Sequence, residues 1–415
     1  LVLIGGGHSH VAVLKKFGMK PLPGLQITLI TRDVHTPYSG MLPGFIAGHY
    51  TYDESHIDLR PLAQFARTRL IHASATSLDL DSRLVICSNR PPIHYDILSI
   101  NTGSTPSCIE VPGSKEYALA VKPINQFLQK WDEVMQQMLE RRGDYQVVVV
   151  GAGAGGVEVT LSTQFHLRKL LRQHSLSTDK LRFHLISGNR SVLPTHNLSV
   201  QRRFSRVLEE RDVTAHTECK ANRVNENAIE LSTGEFLHAD AIIWATHASA
   251  PSWYKTSGLE VGERGFVKVN DSLQSISHPN VFAAGDIAAV TDYPRPKSGV
   301  FAVRQGLPLY KNIKRALINK PLKRHVPQIS SLSLISTGNK YVVASRGTLA
   351  LEGAWLWTLK DYIDRKFIRK YNELPDMHDG EDTVAKSDLV SGDVLKEIST
   401  IAMRCGGCGA KIGSN

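Results

Sequence analysis

The sequence predicts an α/β protein, because two similar units of strand, glycine-rich turn and helix occur along the chain. In the first unit, an apolar run at residues 1–4 precedes the turn, and a second apolar run follows at residues 25–31. In the second unit, the corresponding runs are residues 146–150 and 182–187. Continuous apolar runs are typical of parallel strands that are buried on both faces. We therefore predict two domains built on parallel sheets.

The remaining elements follow in chain order. Residues 123–142 carry apolar side chains at helical spacing, and residues 223–248 have the pattern of short strands. Residues 281–286 predict a buried strand that runs into a turn. Residues 321–375 change to strand pairs followed by a basic, tryptophan-rich helix, which indicates a third, small α+β domain. Residues 376–398 are acidic and polar, as expected of a linker.

Length and composition exclude several classes of protein. With 415 residues the chain exceeds one ordinary core, and its 42% hydrophobic and 21% charged residues are typical of a globular protein. Its apolar runs fall short of the roughly 18–20 residues needed to cross a bilayer. The net charge of +10 comes from scattered basic residues without a nucleic-acid-binding module. We expect no nucleic-acid partner, but attraction for anionic cofactors or for a membrane surface.

Cysteine usage indicates a reducing compartment, and we expect a cytoplasmic protein. Cys87, Cys108 and Cys219 are dispersed, which does not suit a disulfide framework. The sequence begins at Leu1, inside a predicted strand. We therefore expect further residues upstream, where a targeting peptide would lie.

The glycine-rich turns predict two dinucleotide sites. A glycine turn between a strand and a helix lets backbone N–H groups and the helix N-terminus meet a pyrophosphate. The second turn is complete, with Gly151, Gly153 and Gly156. The first turn keeps Gly5 and Gly7 but lacks the third glycine. One copy alone is a weak signal, whereas two copies in matching positions favour two bound dinucleotides.

His10 stands in the first turn where the third glycine normally allows close packing of helix and strand. We expect either that the helix shifts or that the imidazole lies outside this contact. His8 and His10 have no third ligand in view, so we predict no metal site.

The acidic residue that normally holds the ribose hydroxyls at the end of the second strand is missing from both units. Thr31 stands there in the first unit, followed by Arg32, and Ser187 stands there in the second, followed closely by Arg190. A missing acid with a nearby arginine favours a 2′-phosphate. NADPH is therefore at least as well favoured as NADH. In the alternative interpretation, Arg190 lies on a solvated loop.

A family resemblance rests on five motifs in a fixed order. They are the two glycine turns, Asn101-Thr-Gly-Ser104, Trp244-Ala-Thr246 and Val281-Phe-Ala-Ala-Gly-Asp286. Over residues 1 to about 320 the chain resembles the pyridine nucleotide–disulfide oxidoreductase superfamily. It is most similar to the branch of type II NADH dehydrogenases and sulfide:quinone oxidoreductases. Residues 36–44 and 57–59 resemble the flavoprotein found fused ahead of selenide, water dikinase.

This resemblance implies two Rossmann-like domains that bind FAD and NAD(P), the second inserted in the first, and a small C-terminal α+β domain. The FAD domain would comprise residues 1–121 and 265–320, and the NAD(P) domain residues 122–264. Residues 321–375 would form the C-terminal domain, as a cap or as a homodimer interface. Residues 399–415 would begin a truncated selenide, water dikinase-like region.

The resemblance also implies the residues that bind the cofactors. In the FAD domain they are Gly5, Gly7, His8, Arg32, Ala75, Gly103 and Asp286. Of these, Ala75 would offer its backbone to the adenine, and Asp286 would accept a hydrogen bond from the ribityl chain or pyrophosphate region. In the NAD(P) domain they are Gly151, Gly153, Gly156 and Arg190.

Two residues are implied as catalytic candidates. Lys297 would lie near the pyrimidine end of the flavin, where its charge would stabilise the reduced ring. Glu158 would lie near the nicotinamide, where it would fix the carboxamide or tune the local charge. The alternatives are a surface lysine and a helix-start glutamate that is favoured by the helix dipole.

The electron acceptor is left open by the sequence. Residues 38–43 hold no cysteine pair beside the flavin and the predicted NAD(P) domain holds no Cys-x-x-Cys, so an internal dithiol of either usual kind is not expected. Cys108 alone is poorly suited to sulfide oxidation. Residues 299–304 keep only Ala302 of the motif that borders the quinone in type II NADH dehydrogenases. A quinone is nevertheless a candidate for the small-molecule acceptor.

The segment 355–371 combines aromatic residues with basic residues that include Lys360. Such a helix can lie on an anionic membrane as a peripheral contact. Core packing in a dimerising or capping domain explains its apolar face equally well, and we favour that interpretation.

The sequence thus predicts an FAD-dependent NAD(P)H oxidoreductase. Two other functions stay open. Cys405, Cys408 and Lys411 resemble the start of selenide, water dikinase, which favours the flavoprotein half of a bifunctional selenium-metabolism protein. In an alternative interpretation of the tail, Cys405 and Cys408 form a redox-active dithiol that the flavin reduces.

The second function that stays open is a flavin-bearing regulatory or membrane-docking module with little turnover.

Overall fold

The computed structural model describes residues 1–106, 111–246 and 248–375. Cys108, the predicted linker and the predicted dikinase-like tail lie outside these ranges. The predictions made for those parts of the chain therefore stay predictions.

The first sheet has five parallel strands. Their order is Val281–Ala283, Leu98–Ile100, Val2–Ile4, Thr28–Thr31 and Arg69–His72. Leu3, Leu29 and Leu98 are completely buried, as the continuous apolar runs predicted. The strand Thr28–Thr31 is shorter than the predicted run of residues 25–31, because the amide of Leu25 donates to the carbonyl of Leu22 in a turn.

The second sheet is also parallel and has five strands. Their order is Ala118–Ala120, Ala241–Trp244, Tyr145–Val150, Leu181–Ile186 and Val213–His216. In the chain, these strands all lie between two strands of the first sheet, Leu98–Ile100 and Val281–Ala283. The prediction of an α/β fold with two Rossmann-like parallel sheets is confirmed, whereas the exact domain boundaries stay predictions.

The long helices cover these sheets and position their turns. Helix His8–Met19 follows the first strand and packs against helix Gly299–Leu317. A Cβ atom at Gly306 would lie about 2.6 Å from the Cβ of Ala12, so glycine permits this approach. The hydroxyl of Ser9 donates to the carbonyl of Ala302 at 2.6 Å, which joins the starts of the two helices.

The smaller elements complete the two α/β units. The helices are Leu42–Ile46, Tyr52–Ser55, Leu59–Phe65, Ser114–Tyr117, Ile124–Glu140, Ala154–Gln173, Leu198–Glu210 and Trp253–Thr256, with 3-10 turns at Glu263–Gly265 and Gly285–Ile287. The strands are His35–Pro37, His56–Asp58, Ala75–Asp79, Leu84–Cys87, Ile93–His94, Thr105–Pro106, Ala221–Asn225, Ala228–Leu231, Phe236–His238, Ala248–Ser249, Val267–Val269 and Ala288–Val290.

The C-terminal segment forms an antiparallel sheet followed by a long helix. The strands are Ser333–Ser336, Val342–Arg346 and Leu349–Gly353, and the helix is Ala354–Asn372. The inner face of this helix packs on the body of the protein, where Trp357 lies 5.0 Å from the ring of His49. Among the described residues, no helix is both long and apolar enough to span a membrane.

Candidate functional site

A cavity of about 500 Å³ lies at the carboxyl ends of the strands of the first sheet. It is lined by residues that lie within three positions after the end of each of the five strands, which is where open parallel sheets bind their ligands. We call it the main cavity. It brings together every residue that the sequence assigned to FAD, namely Gly5, Gly7, His8, Arg32, Ala75, Gly103 and Asp286.

The first glycine turn is shaped by Asn101. Gly5 has φ +89, and a Cβ atom there would lie about 2.5 Å from the carbonyl oxygen of Asn101. The Asn101 Oδ1 atom accepts from the amides of Ser9 at 3.0 Å and His10 at 3.2 Å, so it caps the helix N-terminus. In the sequence Asn101 stands out only as part of a motif, and no local pattern predicts this capping role.

The main cavity fits a dinucleotide diphosphate. In the described part of the chain, the amides of Gly6 and His8 donate to no protein acceptor, and both residues line the main cavity. Free N–H groups at a helix N-terminus are suited to a pyrophosphate. A Cβ atom at Gly103 would meet no atom within 4 Å, so the cavity is open beside it.

The imidazole of His10 lies inside the helix–strand contact and not outside it, which corrects one of the two expectations. His10 Nδ1 donates to the carbonyl oxygen of Gly5 at 2.6 Å, and Nε2 accepts from the hydroxyl of Ser99 at 2.8 Å. A carbonyl oxygen can only accept, so Nδ1 carries the proton. Burial lowers the pKa of His10 to about 4, although the bond to Gly5 opposes this. His10 is therefore a neutral packing residue.

His8 has a different environment. Its Nε2 atom is buried and has no hydrogen-bond partner in the described residues. The ring lies edge-on to Tyr38 at 5.4 Å and to Phe367 at 5.9 Å. Burial lowers the pKa of His8 to about 4, so the ring is neutral at neutral pH. Its assignment to FAD stays a prediction.

Asp286 is paired with a residue that the sequence analysis missed. Lys122 Nζ lies 2.7 Å from Asp286 Oδ2, and the hydroxyl of Ser104 donates to the same oxygen at 3.3 Å. Burial raises the pKa of the Asp286 carboxyl, but the charge and hydrogen bond of Lys122, with smaller contributions from His8 and Lys297, hold the pKa below its usual value. Asp286 is therefore an anionic acceptor at the edge of the main cavity.

The other end of the main cavity is lined by Ala75 and Arg32. Arg32 pairs with Asp33 at 2.9 Å and is half exposed, so it can turn towards a ligand. Trp253 and Tyr254 also line this end, and the Tyr254 hydroxyl lies 2.7 Å from that of Thr102. No local signal in the sequence marked these two aromatic residues.

The second glycine turn has the geometry that its three glycines require. Gly151 has φ +114, and a Cβ atom at Gly156 would overlap the carbonyl oxygen of Gly151. A Cβ atom at Gly153 would meet nothing within 4 Å, so space lies open beside the turn. Arg190 lies on the loop after strand Leu181–Ile186. Its side chain is 89% exposed and lies 3.6 Å from Glu218. It is thus a solvated residue near this turn.

Glu158 is not among the residues that line the main cavity and lies beside the C-terminal segment. Its carboxylate accepts from the amide of Ser336 at 2.8 Å. Burial raises the pKa of Glu158 to about 7, and the nearby Lys360 opposes this. Lys360 is buried, donates to the carbonyl of Gly40 and pairs with Asp364 at 2.5 Å. Lys360 is therefore not part of the basic surface that the membrane-contact alternative assumed.

Lys297 does not line the main cavity. Its amine donates to the carbonyl of Ala288 and lies 4.2 Å from the centre of the Phe266 ring, in a second, smaller cavity. Burial lowers its pKa to about 8, although Asp286 opposes this. A catalytic role for Lys297 stays a prediction.

Comparison with known proteins agrees with this geometry. Residues 1–306 match the family of pyridine nucleotide-disulphide oxidoreductases, and the chain belongs to that family. It is an FAD-dependent NAD(P)H oxidoreductase, with FAD and NAD(P)H as its cofactors.

Its relatives include NADH dehydrogenase-like proteins. YutJ of Bacillus subtilis is 24% identical over 87% of this chain and 99% of its own length. The type II NADH:quinone oxidoreductase of Staphylococcus aureus is 21% identical over 76% of this chain and 82% of its own length. The predicted resemblance to this branch is confirmed, whereas a fusion to selenide, water dikinase stays a prediction.

Two solved structures share the fold. The sulfide:quinone oxidoreductase of Aquifex aeolicus has a TM-score of 0.75 at 18% identity, over 97% of this chain and 95% of that chain. NDH2 of Plasmodium falciparum in complex with NADH also has a TM-score of 0.75, at 16% identity, over 91% of this chain and 99% of that chain.

Proposed function

We propose that this enzyme passes reducing equivalents from NAD(P)H through FAD to a quinone that reaches it from a membrane surface. The observation that carries the proposal is the position of helix Ala354–Asn372. Its inner face contacts the wall of the main cavity, while its outer face is apolar and exposed. The names of two similar proteins, a type II NADH:quinone oxidoreductase and a sulfide:quinone oxidoreductase, support a quinone acceptor.

The inner face of the helix meets the loop at residues 37–40. The ring of Phe367 stacks on Tyr38 at 4.3 Å, and Lys360 Nζ donates to the carbonyl of Gly40 at 2.5 Å. Pro37 and Ser39, on the same loop, line the main cavity. A molecule that moves along this helix would therefore arrive at the cavity wall.

Glu158 is suited to hold the proton that the reaction requires. Bound FAD accepts hydride and supplies two electrons to the acceptor. A hydride carries two electrons and one proton, so reduction of a quinone to a quinol takes up one further proton. With its pKa raised by burial to about 7, Glu158 is part-protonated at neutral pH. Of the buried pair nearby, Lys360 lowers the pKa of Glu158 and Asp364 raises it.

The outer face of the helix supports a peripheral membrane contact. The exposed apolar residues are Trp355, Leu359, Tyr362 and Ile363, with Leu349 and Leu351 on the preceding strand. The exposed basic residues on the same helix are Lys366, Arg369 and Lys370. Apolar side chains flanked by basic ones are typical of interfacial helices on anionic lipid. A homodimer through the same face is the alternative, and a cytoplasmic location suits both.

A panel of acceptors tests the proposal. FAD-loaded protein is supplied with NADH or NADPH together with a quinone in lipid vesicles, a disulfide or a selenium compound. We expect the quinone to sustain the fastest NAD(P)H oxidation. Turnover with disulfides alone would contradict the quinone proposal. Absence of turnover with every acceptor would favour the regulatory or docking module.

A second candidate function rests on the spacing of Cys408 and Lys411, which resembles the catalytic start of selenide, water dikinase. In that case the chain is the flavoprotein half of a selenium-metabolism protein. Deleting residues 399–415 should leave flavin reduction and turnover of small acceptors unchanged. Loss of disulfide reduction, with FAD content intact, would instead indicate that Cys405 and Cys408 form a dithiol served by the flavin.

A further inference from the structure

A second cavity, of about 180 Å³, adjoins the main cavity. Asp286 and Ser298 line both of them, so only these residues and their neighbours separate the two spaces. Its other polar side chains include Arg295, Lys297 and Gln305. The volume exceeds the roughly 10–15 Å³ that one water molecule requires, so the cavity can hold a small ligand.

The two cations of the second cavity are held in place without a carboxylate partner. Lys297 Nζ donates to the carbonyl of Ala288 and packs on Phe266, which leaves further ammonium protons free. Arg295 donates to the carbonyls of Pro294 at 2.9 Å and Gln328 at 3.0 Å. Within the described ranges, neither cation forms an ion pair.

Gln305 adds an oriented neutral donor. Its side chain is more than nine-tenths buried, and Oε1 accepts from the amide of Gly285 at 2.6 Å. Because the Gly285 amide must donate, the oxygen of the Gln305 side chain faces Gly285, and Nε2 is left as a donor. Nε2 makes no hydrogen bond within the part of the chain that the structure describes. The atom is open to the cavity rather than fully buried, so a ligand or water can satisfy it there.

The only acid that lines the second cavity among the described residues is already engaged. Asp286 is held by Lys122 at 2.7 Å. Positive charge therefore exceeds negative charge in this cavity. Burial lowers the pKa of Lys297 to about 8, and the charge of Asp286 only partly opposes this.

We propose that the second cavity is a binding site for a small oxyanion, such as phosphate or a short carboxylate, with Lys297 as its principal contact. Lys297 and Gln305 present donors to one space, and acceptor oxygens satisfy both. Charge-assisted hydrogen bonds to an oxyanion are stronger than bonds between neutral groups. The second cavity shares only Asp286 and Ser298 with the lining of the main cavity, so we expect the anion not to compete with FAD.

Protection of Lys297 from acetylation tests this site. FAD-saturated full-length protein is treated with acetic anhydride at increasing inorganic phosphate, with sodium chloride holding the ionic strength constant. Mass spectrometry of peptides reports the acetylation of each lysine. At phosphate of about ten times the Kd, acetylation of Lys297 should slow about tenfold. Lys268, a partly exposed lysine paired with Glu260 at 3.0 Å, is the internal reference and should not change.

Substitutions test the same site independently, through the effect of phosphate on thermal stability. The rise in Tm with phosphate should disappear in Lys297→Met and persist in Lys297→Arg and in the control Lys268→Met, with FAD content measured in each variant. If Lys297→Met does not fold, the acetylation experiment on the unmodified chain still decides. Equal protection of Lys297 and Lys268, or protection that does not saturate, would overturn the proposal.

Discussion

Lys122 Nζ lies 2.7 Å from Asp286 Oδ2, and this ion pair joins the two parallel sheets at the main cavity. Lys122 follows the strand Ala118–Ala120 of the second sheet, and Asp286 follows the strand Val281–Ala283 of the first. Both residues line the main cavity. The Asp286 carboxylate, a hydrogen-bond acceptor at the cofactor site, is thus held anionic by Lys122 from the other unit.

Replacing Asp286 with alanine should weaken FAD retention. The substitution removes a buried acceptor for a cofactor hydroxyl, which corresponds to about 1–3 kcal/mol, or roughly a fivefold to 150-fold rise in Kd. FAD released from the purified protein and rebinding measured by flavin fluorescence report the change. Asp292→Ala, at an exposed position, is the control. Equal Kd values for the two variants would show that Asp286 does not contact FAD.

His10 should make stability depend on pH. Its pKa is about 4 in the folded protein, below the usual 6.5, so the unfolded chain binds the proton more tightly. The contribution is complete above pH 6.5 and is lost as pH falls towards 4. Since one pKa unit corresponds to about 1.4 kcal/mol, the loss approaches about 3 kcal/mol.

Urea unfolding at several pH values compares the parent with His10→Gln. Between pH 4 and 6.5, the unfolding free energy of the variant should depend less steeply on pH than that of the parent, because the contribution of His10 is removed. This holds whatever the stability of the variant at neutral pH. Identical slopes in the two proteins would show that His10 does not titrate in this range.

Gly153→Val should separate the two cofactor sites. Gly153 has φ −73 and open space beside it, so valine is accommodated by the fold but fills the space beside the turn. FAD content should be unchanged, while reduction of the flavin by NAD(P)H should slow greatly in stopped-flow absorbance. Gly155→Val, also in open space, is the matched control. Equal reduction rates in parent and Gly153→Val would place the nicotinamide elsewhere.

Arg190→Ala should change the preference between nicotinamide cofactors. If the exposed guanidinium pairs with a 2′-phosphate, KM for NADPH should rise while KM for NADH stays constant. A charged hydrogen bond of this kind is worth roughly 1.5–3 kcal/mol, or about tenfold to hundredfold in affinity. Arg223→Ala, at another exposed position of the same unit, is the control. Parallel changes for both cofactors would leave Arg190 as a solvated loop residue.

Removing the exposed aromatic residues of the C-terminal helix should weaken membrane binding. Trp355 and Tyr362 are 59% and 61% exposed, so the double substitution to alanine removes apolar area without opening the core. Loss of two interfacial aromatic residues should raise the dissociation constant from vesicles at least about tenfold. Co-sedimentation with anionic vesicles measures this, and Phe236→Ala, 61% exposed elsewhere, is the control. A change of dimer content without a change of vesicle binding would favour the homodimer.

Much of the fold could be predicted because its determinants are local. Runs such as residues 146–150 require burial on both faces, and the spacing of Gly151, Gly153 and Gly156 follows from a backbone turn a few residues long. The seven residues assigned to FAD meet in one cavity, because the carboxyl ends of parallel strands share one edge of the sheet.

The sequence by itself therefore determined the two parallel sheets, the two glycine turns and the edge at which the cofactor residues gather. Only the tertiary structure decided that Lys122 pairs with Asp286, that His10 bonds Gly5 and Ser99, and that Lys360 is buried. The physical reason is distance along the chain. Periodicity and turn chemistry act between near neighbours, whereas the environment of a charged or polar side chain is set by residues that folding brings from elsewhere.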